Sequence, residues 1–266
     1  MARMVIVVCL PGEDRSRLEE AVAEAMAPFE LDYSGDEAFD IWDGWRIQGG
    51  VHGGGFELLP GYADDPRLVH EDPGPSLPGR CAGGPREALA LAEIRAEGAA
   101  QAAAAWDLWQ ELVPLHPPFV PEREVPQPWS NPEEFRIEMR AQVEARVAFD
   151  AQPLVLAYRE GMSALQAAHR GHDLTDILHG GSAHAVARLG RREFVAEETA
   201  CLPYFPYVLT LDGWWCGEEG PVHGACDGPD SCPHPAPIAE PYRYGAARYL
   251  EALPGDTLLV LVRCHL

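Results

Sequence analysis

Two runs near the ends of the chain decide the fold: MVIVVCL at residues 4–10 and DTLLVLVRCHL at residues 256–266. Each is a near-continuous row of Val, Ile and Leu without helical period, the pattern of a strand buried on both faces. PGED turns the first run. RSRLEEAVAEAMA then reads as a helix with Asp14 as its N-cap and Leu18, Val22, Ala25 and Met26 as its apolar stripe. The last run follows YRYGAARYLEAL, a helix, and YVLTL at 207–211, a short strand. Both ends are thus written in one style. The expectation is an α/β or α+β fold in which N- and C-terminal strands build one small sheet.

Working inward, FDIWDGWRI at 39–47 reads as a strand or hairpin arm, broken by the glycines of QGGVHGGG at 48–55. Residues 60–85 are rich in Pro and Gly and read as loop. From Arg86 an Ala-rich stretch predicts a long helix weakened near Gly98. The proline-rich PLHPPFVPEREVPQP leads to a second helix starting near Pro132, where the missing proline N–H costs nothing. One or two shorter helices are expected between Leu154 and Ala200. The reading is a single domain, 1–266, with a core of residues 1–59 and 201–266 and a helical insertion at 86–200.

The chain has 266 residues and a net charge of −22, from 42 acids against 20 bases, all of them Arg. That charge repels phosphate backbones, so direct binding of nucleic acid is not expected. No run approaches the ~20 apolar residues of a membrane span. The N-terminal apolar run is too short for a secretory signal, so the expected location is cytoplasmic. Seven cysteines, an odd number, favour reduced thiols over a disulfide framework.

Three stretches carry a family resemblance. IWDGWRIQGGVHGG resembles the Trp-Asp-Trp-Tyr-x-Ile-Gly-Gly-Arg-Trp motif of a family of phage and actinobacterial proteins of unassigned activity. PYVLTLDGWW is similar to that family's Pro-x-Tyr-x-Leu-x-Thr-x-Asp-Gly-x-Trp segment, and LPGDTLLVLVRCHL to its closing strand in Asp-Cys-His. The resemblance covers the two ends of the chain and implies an α/β protein. The chain departs from the motifs at Val51 and His52, where the family has Arg-Trp. It departs again at Cys216, where the family has His after Trp, and at Arg263 before Cys264 and His265.

The densest chemistry lies in WWCGEEGPVHGACDGPDSCPHP, residues 214–235, with three of the seven cysteines and two of the ten histidines. Its Pro and Gly content points to irregular backbone. Cys216, His223, Cys226, Cys232 and His234 are donors suited to zinc, with Cys264 and His265 nearby if the last strand lies beneath. Cys232 and His234 form the close pair, while Cys216, Cys226 and Cys232 are spaced too widely for a common zinc motif. Unligated surface thiols, and a Cys226–Cys232 disulfide, are the competing readings.

A second candidate set is His172, Asp176 and His179, one stripe of a helix in HRGHDLTDILHGGSAH. The outer two would lie about 10 Å apart, which favours a solvated helix face over one ion. A third is an apolar pocket around Trp42, Asp43, Trp45, His52 and His265, with the tryptophans as core residues the simpler reading. QGGVHGGG lacks the Lys and Ser/Thr of a phosphate loop and reads as a turn.

Two functions stay open. One is an accessory protein whose acidic face, dense between Glu13 and Asp43, meets a protein partner with a basic surface. The other is a zinc-dependent hydrolase or zinc-stabilised ligand-binding protein using residues 216–234.

Overall fold

The computed structural model describes residues 3–31, 41–49, 54–71, 76–121, 132–168, 183–226, 232–238 and 241–265. The elements in chain order begin with β1 (Arg3–Leu10), α1 (Leu18–Met26), β2 (Gly44–Ile47), β3 (Phe56–Glu57), β4 (Arg80–Cys81) and β5 (Gly83–Pro85). Helices follow: α2 (Leu91–Leu112), α3 (Pro132–Asp150), α4 (Pro153–Ala168), α5 (Ala183–Arg188) and α6 (Arg191–Thr199). The chain closes with β6 (Tyr207–Leu209), β7 (Trp214–Cys216), β8 (Val222–His223), α7 (Tyr242–Ala252) and β9 (Leu258–His265).

The two terminal runs pair with each other. β1 and β9 lie antiparallel over eight residues, from Arg3 opposite His265 to Leu10 opposite Leu258. On the other side of β1, β6 runs parallel, and β7 and β8 extend the sheet antiparallel, giving the order β2-β9-β1-β6-β7-β8. β2 and β5 share the outer edge of β9, one at each end of it. This mixed seven-stranded sheet with helices makes the fold α+β. β3 and β4 form a separate two-stranded pair.

The apolar runs alternate as buried strands should. Val7 and Cys9 face a core with Leu259, Leu261 and the α7 residues Tyr242, Ala246 and Leu250. Ile6, Val8 and Leu10 face a second core with Val260, Val262 and the α1 residues Leu18, Val22 and Met26. Ile6, Val7 and Val8 are wholly buried, and each such side chain contributes about 1.5–3 kcal/mol relative to exposure. Gly83 lets β5 approach β9, because a Cβ there would collide with the Leu259 carbonyl.

The chain divides into two compact units, Met1–Arg95 with Ala200–Leu266, and Ala96–Thr199. The second unit is helical. Trp109 meets Phe119 and Tyr158 edge to face, at centroid distances of 5.2 and 5.3 Å, and Phe194 is fully buried in the same core. Among the described residues, no helix is long and apolar enough to cross a membrane.

Three local expectations change. Residues Gly12–Arg17 form a 3-10 turn and α1 starts at Leu18, so Asp14 sits within that turn instead of capping the helix. α2 starts at Leu91, because Arg86–Ala88 form a 3-10 turn, and it continues through Gly98 without a break. Among the described residues, three helices instead of one or two occupy the stretch expected between Leu154 and Ala200.

Candidate metal centre

The metal-type cluster hangs on a hairpin. In TLDGWW, Asp212 and Gly213 turn β6 into β7, and Gly213 has φ +76°, a conformation that suits glycine. The Gly213 N–H donates to Thr210 O at 3.1 Å, and the Thr210 hydroxyl accepts from the Trp214 N–H at 3.1 Å. β8 returns with Trp214 opposite His223. Their rings stack at 4.7 Å and 29°, which fixes the imidazole plane. Cys216 and His223 therefore stand on strands, not on the irregular backbone that the Pro and Gly content suggests.

Four donors converge at the end of this hairpin. One ligand atom from each of His223, Cys226, Cys232 and His234 lies within 4.8 Å of every other. His223 Nδ1 is 3.2 Å from Cys226 Sγ, Cys226 Sγ is 3.4 Å from His234 Nδ1, and Cys232 Sγ is 3.7 Å from His234 Nδ1. With zinc–nitrogen and zinc–sulfur bonds of ~2.0 and ~2.3 Å, the edges of a tetrahedron span about 3.3–3.8 Å. These three separations lie near those edges, and the remaining pairs are within 4.8 Å.

The surroundings favour ligation as well. His223 Nε2 lies 3.1 Å from the Asp212 carbonyl oxygen, which can only accept. The Nε2–H must therefore donate, leaving the Nδ1 lone pair directed at the cluster. An outer hydrogen bond of this type orients most metal-binding histidines. His223 is buried, Cys226 and Cys232 are half-buried and His234 is exposed, so an ion can enter from the His234 side. The Cys226 N–H closes a turn onto His223 O at 3.1 Å, holding those two donor residues together. No cysteine is joined in a disulfide.

Cys216 is not one of the four. It is buried on β7 in the core that holds Cys9 and Tyr242, near enough to Cys9 to help burial raise that thiol's pKa. Cys264 and His265 do not join either: β1 and β6 separate β9 from β7, and burial pushes the Cys264 thiol up to about 12. The signal overlooked in the sequence was His223-x-x-Cys226. That pair has ordinary zinc spacing, but it is invisible when only Cys–Cys intervals are counted.

His172, Asp176 and His179 lie outside the described residues, as does His52. The tryptophan pocket separates into two parts. Trp42 is buried core, its indole N–H donating to Met26 O at 3.2 Å. Asp43 instead accepts from His265 Nδ1 at 2.8 Å, and the Asp43 N–H donates to His265 O at 3.0 Å. Trp45 and His265 line an open depression of about 350 Å³ with Gly44, Arg46, Arg263 and Cys264.

Comparison of the chain with protein-family models, with curated proteins and with solved structures returned no match.

Proposed function

We propose that this is a zinc-stabilised binding protein in which His223, Cys226, Cys232 and His234 hold one Zn2+ as a structural staple. The observation that carries this reading is the convergence of four donor atoms within 4.8 Å, three of the pairs near tetrahedral-edge length, together with the His223 tautomer set by Asp212 O. Two thiolates and two imidazoles suit zinc, and four protein donors complete its usual coordination. No position then remains for the activated water that a hydrolytic zinc requires. The ion's work is to tie residues 232–238 to the β7–β8 hairpin.

Replacing zinc by Co2+ tests this directly. The account expects the strong visible absorption of tetrahedral cobalt with a thiolate charge-transfer band, both lost in Cys226→Ser with Cys232→Ser. A weak octahedral spectrum, or one indifferent to the double substitution, contradicts it.

One observation favours a further role as a partner-binding protein. α1 turns Glu19, Glu20 and Glu24 outward, with Arg17 ion-paired to Glu20 and Glu24 at its start. An acidic face of this type recognises a basic protein surface, and its binding should weaken as added salt screens the charges.

A further inference from the structure

The seven cysteines sort by their surroundings. Cys9, Cys81, Cys216 and Cys264 are buried, and burial pushes the Cys81 and Cys264 thiols up to about 12. Thiols kept protonated in apolar surroundings are inert. Cys201, Cys226 and Cys232 are half-buried. Within this second group, Cys226 Sγ and Cys232 Sγ lie within 4.8 Å of each other. Both sulfurs also meet one atom, His234 Nδ1, at 3.4 and 3.7 Å. His234 is exposed, so a small oxidant can reach the sulfurs from the side on which an ion enters.

A metal site needs its cysteines as thiolates, which is also the form that an oxidant attacks. Redox-sensing cysteines combine thiolate character and accessibility with a second sulfur at hand to resolve the oxidised one. Cys226 and Cys232 bring these features together. Their sulfurs need only approach from within 4.8 Å to the ~2.05 Å of a disulfide bond.

We propose that Cys226 and Cys232 are a peroxide-oxidised pair whose disulfide expels the zinc, a redox control that rests on the zinc reading above. One thiolate attacks an oxygen of a hydroperoxide, the O–O bond breaks, and the departing alkoxide or hydroxide takes up a proton. The second thiolate attacks the resulting sulfenic acid. An S–S bond forms, the S–O bond breaks, and the hydroxide released takes up a second proton. The two sulfurs lose two electrons, and these reduce the peroxide. His223 and His234 are then left to the ion, two donors where zinc takes four. Zinc departs, and residues 234–238 lose their tie to β8.

The test treats the untagged full chain, its zinc first counted by elemental analysis, with hydrogen peroxide. A zinc-binding dye follows release, and peptide mass spectrometry maps the cysteines. The expected result is loss of the one zinc per chain together with a Cys226–Cys232 disulfide. A thiol reductant followed by added zinc should restore the bound ion. Cys201→Ser, holding its zinc, should respond as the parent does. Zinc that stays bound under peroxide overturns the redox control and leaves the zinc staple standing. So does release in which Cys226 and Cys232 end as sulfinic or sulfonic acids without a disulfide, or release that vanishes in Cys201→Ser. Protein that holds no zinc before peroxide is added overturns the zinc reading, and the redox control with it.

Discussion

Residues 183–199 and the described residues of 222–238 differ in how much apolar surface they bury. The first segment sends Phe194, Val186 and Ala183 into a core shared with Trp109, Leu154 and Tyr158. In the second, His223 and Ile238 are the buried residues among those described, while Ala225, Pro233, His234 and Pro235 are exposed. Burial supplies the first with several kcal/mol. The second buries less apolar area among its described residues and has instead four donor atoms within 4.8 Å of one another. Segments poor in core residues commonly draw their order from a metal.

The largest effect should come from the apolar side of this contrast. Phe194→Ala removes a wholly buried ring and should cost about 3–5 kcal/mol, seen as faster amide exchange across residues 96–199. If exchange there is unchanged, packing is not what holds the helical unit. Next comes the metal side. Stripping zinc with a chelator should remove roughly 2.7–4.1 kcal/mol, the stabilisation expected at 100–1,000 times the dissociation constant, measured as a lower Tm. Zinc should restore it in the parent and not in Cys226→Ser.

A smaller effect concerns Glu198, in the helical unit. Burial, with a lesser contribution from Glu197, raises its pKa above the usual carboxylate value. A raised folded pKa means the native state favours the protonated form. That stability is full below the unfolded pKa and is lost as pH rises through the folded one. Glu198→Gln should therefore raise Tm at pH 7 and change it little at pH 4. An equal gain at both values would refute the assignment. The smallest effect belongs to Asp107, about half exposed and held below its ordinary pKa by its hydrogen bond from Arg191. Asp107→Asn should shift Tm marginally, and less still at high salt, because exposed pairs contribute little.

How much of this was legible in the sequence follows the same contrast. β1 and β9 could be read because strands buried on both faces leave unbroken apolar runs, and pairing the chain ends needed only that likeness. β7 and β8 were hidden because they are three and two residues long amid Gly and Pro. The Asp212–Gly213 turn was the available clue to that hairpin. Cys216 stands apart from the four clustered donors because proximity in sequence says nothing about which neighbours a side chain meets. Across β7 it faces the core, whereas His223, from the partner strand, reaches the cluster. Trp42 and Trp45 differ for a similar reason: one N–H finds Met26 O inside the core, and the other ring borders the depression. The cross-strand pairing of Arg46 with Arg263 in β2 and β9 could not be seen at all, since only register brings the two together.

The central claim is that a metal takes the place of a core around residues 223–234. Elemental analysis of untagged protein, purified without added metal, tests it most directly. The account predicts one zinc per chain in the parent, and loss of that zinc in both Cys226→Ser and His234→Ala. A Cys216→Ser variant should retain it. Zinc-free parent protein whose Tm is unmoved by added zinc would contradict the account, as would zinc retained by the Cys226 and His234 variants.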